Sequence, residues 1–142
     1  MDATTTTIAD RLAIHDLVAE YSFRCDTKDF DGISELFAED GSWDEQVLGA
    51  PVCQGREAIH GLFHALNDAD IPLCMHNISN ERVTELDGNR AKGTCHLRTD
   101  GAVNGTPLDV HGYYDDEYTK VDGRWLFARR TLVAFVEPKK VM

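Results

Sequence analysis

Apolar residues recur at helical spacing near the start of the chain, with Ile8, Leu12, Ile14, Leu17, Val18, Tyr21 and Cys25 in one stripe. Thr7-Ile8-Ala9-Asp10 has the form of a capping box, which predicts a helix from Thr7 to about Cys25 and a frayed Thr4 to Thr7 lead. A second, shorter helix is predicted from about Asp29. It buries Phe30, Ile33, Leu36 and Phe37 and stops near the turn signal Asp40-Gly41. Ser42 to Leu48, carrying Trp43, reads as a short strand. Gln54-Gly55-Arg56-Glu57 opens a third helix with Ile59, Leu62, Phe63 and Leu66 on one face, and Ile71-Pro72 closes it.

From Leu73 the period changes. Met75 to Leu86, Arg90 to Val103, Leu108 to Val121 and Arg124 to Val136 are strand-like, with Asp87-Gly88, Asn104-Gly105 and Asp122-Gly123 as turn signals between them. The expected fold is α+β, a cone-shaped curved antiparallel sheet covered by three N-terminal helices, because strands of this length must curve if short helices are to cover one face. No internal repeat or linker divides residues 1–142, which read as one domain able to bury roughly 70% of its unfolded surface.

Composition narrows the function. A formal net charge of −11, with no basic cluster longer than Arg129-Arg130 or Lys139-Lys140, disfavours nucleic acid and anionic membranes as partners. No apolar run is long enough to span a bilayer, and the N-terminal residues lack a basic leader and an apolar segment, so a cytoplasmic location is expected. The four cysteines, Cys25, Cys53, Cys74 and Cys95, form no CxxC pair and are expected to be reduced and mostly buried. No glycine-rich phosphate loop is present, and neither a cofactor nor a metal is expected.

Two residues stand out chemically. Asp26 follows the apolar stripe of the first helix, where a carboxylate is mildly unfavourable near a helix C-terminus, and could point into the cone. His76 opens the first long strand, and alternation puts it on the face of Ile78 and Asn80. A carboxylate on one ring nitrogen would fix the tautomer and raise the basicity of the other, as a general base requires. His60 and His64, at i and i+4 on the third helix, are expected on a solvated or partly packed face, while His15, His96 and His111 carry no role beyond pocket lining. Trp43, Tyr113, Tyr114, Trp125 and Phe127 supply aromatic surface near the presumed cavity. Alternation places Arg129 with Trp125 and Phe127, and Arg130 with Leu126 and Leu132; whichever points inward needs an anionic partner.

Several strings together resemble the SnoaL-like members of the nuclear-transport-factor-2-like superfamily across nearly the whole chain. They are Tyr21 through Asp26 with Asp29-Phe30-Asp31-Gly32-Ile33, Leu36-Phe37-Ala38-Glu39-Asp40-Gly41, Gln54-Gly55-Arg56-Glu57-Ala58-Ile59, Met75-His76-Asn77, Gly112 with Tyr114 and Asp116, and Asp122-Gly123-Arg124-Trp125 leading to Arg129-Arg130. The resemblance to the scytalone dehydratase and bile-acid dehydratase group implies eliminations needing no metal or nucleotide. Asp26 and His76 match its dyad positions and Tyr21 its tyrosine. The resemblance also implies a homo-oligomer.

The resulting expectation is a cofactor-independent lyase of dehydratase type, or an isomerase, for a small apolar cyclic substrate such as a steroid, terpenoid or polyketide. His76 would abstract a proton, Asp26 orient it and Tyr21 donate to a developing oxyanion, with Arg129 neutralising a substrate carboxylate or bracing Asp26. Trp43, Tyr114 and Phe127 would contact the substrate. The alternatives are a non-catalytic binding or assembly module of the same fold, and a hydrolase that activates water.

Overall fold

The computed structural model describes residues 2–142, apart from the side chain of Thr5. Helix α1 spans Ala3–Asp26 and is followed by a 3-10 run, Phe30–Leu36. Strand β1 (Phe37–Asp44) leads through a short 3-10 turn to β2 (Cys53–Gln54) and helix α2 (Arg56–Ala65). The long strands β3 (Leu73–Asp87) and β4 (Arg90–Val103) follow, then the two-residue β5 (Thr106–Pro107), and finally β6 (His111–Val121) and β7 (Arg124–Ala134). The sheet order is β2-β1-β7-β6-β4-β3, with β5 beside β4.

The four long strands form the expected antiparallel meander, while β1 joins β7 in parallel and makes the sheet mixed. Asn104-Gly105 and Asp122-Gly123 have positive φ at both positions, the geometry that lets a two-residue loop follow the twist of its strands. Helices and sheet close on one core, and Ile14, Leu17, Val18, Tyr21 and Cys25 give the buried face of α1. Each such side chain contributes about 1.5–3 kcal/mol.

Three local expectations change. The helix starts at Ala3 rather than after a Thr7 cap, and the Thr7 hydroxyl donates backward to the Ala3 carbonyl. Asp10 closes no capping box: it accepts the Trp125 indole N–H at 2.9 Å and the Lys120 ammonium at 3.0 Å, tying α1 to the β6–β7 hairpin and leaving Ile8 and Leu12 exposed. The second helix ends at Leu36, because Phe37 already pairs with Phe127 as a strand residue; Asp40-Gly41 is the irregular middle of β1, where the register shifts.

Strand phase also departs from simple alternation. In β7 the register passes from Phe127 opposite Tyr118 to Arg129 opposite Glu117, so Ala128 is an extra residue that flips every later side chain. In β3 a shift between Ser79 and Arg82, with Asn80 at φ 52°, turns Asn80 outward, where it meets His96 instead of sharing the face of His76.

Candidate functional site

The end of α1 lies against the start of β3. Cys74, His76 and Ile78 are the half-buried positions of that stretch, alternating with exposed Leu73, Met75, Asn77 and Ser79. Both carboxylate oxygens of Asp26 accept the His76 backbone N–H at 3.0 Å, and Oδ1 lies 2.7 Å from the ring Nδ1. The His76 side chain is 10% exposed and that of Asp26 24%. An ionised carboxylate only accepts, so Nδ1 carries the proton and Nε2 is the ring atom left for other partners. Burial works against a charged imidazole here, but the Asp26 bond and then the Cys74 thiol outweigh it and carry the pKa of His76 up to about 9.

His76 lines a cavity of about 50 Å³ whose walls are mostly apolar. Tyr21, Tyr114 and Glu45 are among the residues that line it. Trp43 donates its indole N–H to the Tyr21 hydroxyl at 2.9 Å. That bond occupies an acceptor site of the phenol and leaves its own hydrogen for another acceptor. Tyr114 donates to Glu45 Oε1 at 3.3 Å, and burial pushes the Glu45 carboxyl up to about 7 against the pull of His76, Arg130 and that hydroxyl. Thr99 is committed to the backbone, donating to Leu108 O and accepting from Val110 N.

The cavity has room for a few waters and is well short of the 300–1,000 Å³ of most ligand pockets. Leu66, Val103, Val141 and Met142 separate it from an outer groove of about 560 Å³ that they also line. Val141 and Met142 are held there by backbone N–H bonds to Leu48 O at 2.9 and 3.1 Å. Val141 and Met142 are thus part of the partition between the two spaces.

A family model for the SnoaL-like domain matches residues 6–131. The chain belongs to the SnoaL-like family. Its fold is the nuclear-transport-factor-2-like, cystatin-like one. Among solved structures, a protein assigned as an aromatic ring hydroxylase from Novosphingobium aromaticivorans is 27% identical, with 91% of each chain covered and a TM-score of 0.83. One assigned as a scytalone dehydratase from the same organism is 21% identical over 97% of each chain, with a TM-score of 0.82. A type 2 hexachlorocyclohexane dehydrochlorinase is 19% identical over 94% of this chain and 90% of its own, also at 0.82. No curated protein matches the chain significantly.

Within this SnoaL-like fold the remaining candidates separate. Tyr21 and Tyr114 line the cavity, whereas Trp43 and Phe127 are buried and do not line it, Trp43 being hydrogen-bonded to Tyr21. Arg129 lies outside, half-exposed at 3.4 Å from Glu117, so it neither braces Asp26 nor meets a ligand in the cavity. The bulge at Ala128 turns Arg130 inward instead. Arg130 is fully buried, pairs with Asp116 through Nε at 3.1 Å and Nη2 at 3.2 Å, and stacks its guanidinium 3.5 Å from the Tyr114 ring centroid. Tyr113 faces outward onto Phe135, and none of His15, His96 and His111 lines the cavity.

Two clusters among the described residues bring three potential metal-ligand atoms together, Asp26/Cys74/His76 and Asp31/His60/His64. In the second, exposed as expected for His60 and His64, His64 Nδ1 lies 2.6 Å from Asp31 Oδ1, which raises the pKa of His64 and lowers that of Asp31. Glu45 is the cavity carboxyl absent from the sequence-based set. Its signal was the two-residue step from Trp43, which puts both on one face of β1 and its extension.

Proposed function

We propose that this SnoaL-like protein is a cofactor-independent lyase of dehydratase type, or an isomerase, acting on a small apolar cyclic molecule through Asp26 and His76. The carrying observation is the 2.7 Å Asp26–His76 contact at the wall of an apolar cavity. Two structures of the same fold are named for eliminations, a dehydratase and a dehydrochlorinase, which supports the class of reaction.

In this reading His76 exchanges a proton with the substrate through Nε2. Asp26 holds the ring in position from both its backbone N–H and its Nδ1 and stabilises the imidazolium. Tyr21, whose acceptor side is taken by Trp43, donates its hydrogen to an oxygen that gains negative charge. Apolar walls keep bulk water from a developing enolate, where fixed donors act more strongly than in water. Proton transfer by a placed side chain contributes 10²–10⁴-fold, and orientation in the cavity supplies the remainder.

The test uses 3-hydroxy-1-tetralone, which loses water to give 1-naphthol, followed by fluorescence. The expected result is turnover that His76→Ala and Asp26→Asn each reduce by 10²-fold or more, with a double variant no worse than the weaker single one. Independent, multiplying losses, or full activity of His76→Ala, would overturn the dyad. Binding of the ring without turnover would favour a non-catalytic binding module.

A further inference from the structure

The cavity contains one buried carboxyl that neither the fold nor the Asp26–His76 pair accounts for. Elsewhere in the chain, a structural buried carboxylate has a full set of partners: Asp116 takes two guanidinium N–H bonds from Arg130 and the Tyr118 hydroxyl at 3.0 Å. Glu45 is 6% exposed, yet its one side-chain hydrogen bond among the described residues is the long 3.3 Å contact from Tyr114, and no cation lies in ion-pair reach. Arg130, whose field reaches it, leaves its own Nη1 without a partner rather than bonding Glu45. Burying a carboxylate so thinly satisfied costs several kcal/mol by order of magnitude, which a packing role does not explain. Glu45 and His76 line the same small space and are coupled electrostatically.

We propose that Glu45 is the second proton-transferring group of this cavity, taking the proton from substrate carbon while His76 hands one to the departing oxygen. The proposal rests on the elimination reading above and assigns its two proton positions. As the C–H bond breaks, its electron pair becomes the new C=C bond and its proton goes to Glu45. The C–O bond breaks, and the oxygen leaves with the His76 proton as water. Exchange with solvent then returns a proton to His76 and removes one from Glu45, so the cycle needs no oxidant or reductant.

The charge states agree with this direction. With His76 at about 9 and Glu45 at about 7, carboxylate and imidazolium coexist between those values, one able to accept and the other to donate. The opposite arrangement, carboxylic acid with neutral imidazole, is roughly a hundredfold rarer at every pH on those values. The other groups acting on Glu45 are Arg130 from β7, Tyr114 from β6 and Asp44 from its own chain segment, while Tyr21 and Cys25 of α1 feel its charge in turn.

Glu45→Gln keeps the size of the side chain and an oxygen for the Tyr114 hydroxyl. Measured with 3-hydroxy-1-tetralone between pH 5 and 10, it is expected to lower kcat by 10²–10⁴-fold with KM within a few-fold, and to erase the acidic limb of the profile near 7 while the limb near 9 stays. Glu45→Asp restores part of the rate together with that limb. Wild-type kcat and an intact acidic limb in Glu45→Gln, with His76→Ala inactive, would overturn the role of Glu45 and leave the dyad standing. Full activity of His76→Ala would instead remove the reading on which it rests. A second measurement needs no turnover: in protein labelled with ¹³C at glutamate carboxyls, the resonance missing from Glu45→Gln should titrate near 7. Titration in the ordinary carboxylate range overturns the proposal.

Discussion

Asp26→Asn offers a test of the site that requires no substrate. In the folded protein His76 titrates at about 9, against 6.5 for a free imidazole. That interval, at about 1.4 kcal/mol per tenfold, corresponds to about 3 kcal/mol of stability coupled to the imidazolium. Because the folded value is raised, this contribution is fully present below about pH 6.5, fades as pH rises, and is gone above about 9. Asparagine retains an acceptor for the His76 backbone N–H but removes the charge, so that burial, the largest single influence on the ring, is opposed mainly by Cys74. Urea unfolding at pH 6 should therefore show Asp26→Asn destabilised by up to about 3 kcal/mol more than the same comparison at pH 10. ¹H–¹⁵N spectra of the ring should place the His76 midpoint well below 9 in the variant. Equal destabilisation at both pH values, or a midpoint still near 9, would refute the argument that the carboxylate sets the charge of this histidine.

Other expectations concern the surroundings. Asp116→Asn leaves Arg130 as an uncompensated buried cation and should cost about 3–5 kcal/mol by thermal or chemical unfolding, whereas Arg129→Ala, at a half-exposed pair with Glu117, should stay within about 0.5 kcal/mol. A loss for Arg129→Ala as large as for Asp116→Asn would contradict the assigned strand phase. Replacing both Val141 and Met142 by alanine thins the partition between cavity and outer groove, and a fluorescent apolar dye should bind several-fold more tightly; unchanged affinity would show that the partition does not control access. Turnover of the tetralone should survive a chelator, since the proposed steps are proton transfers between side chains, and a loss reversed by added metal would implicate one of the two ligand clusters.

The order of elements was readable from the chain because helical and strand periods are local properties. The apolar spacing of Leu17, Val18, Tyr21 and Cys25 and the turn pairs Asn104-Gly105 and Asp122-Gly123 need no distant partner to act. Asp26 and His76 could also be singled out, each by its place at the end of one element. Their 2.7 Å contact, however, joins residues fifty positions apart and exists only through the packing of α1 on β3. Strand faces beyond a bulge were illegible, because one extra residue reverses the phase and nothing in Phe127-Ala128-Arg129-Arg130 marks where the insertion falls. That single residue put Arg130 inside and Arg129 outside. The sequence by itself determined which groups could carry charge and proton chemistry. Tertiary structure decided which of them lost water, since the desolvation that lifts Glu45, and the carboxylate that works against it at His76, come from elements far apart along the chain.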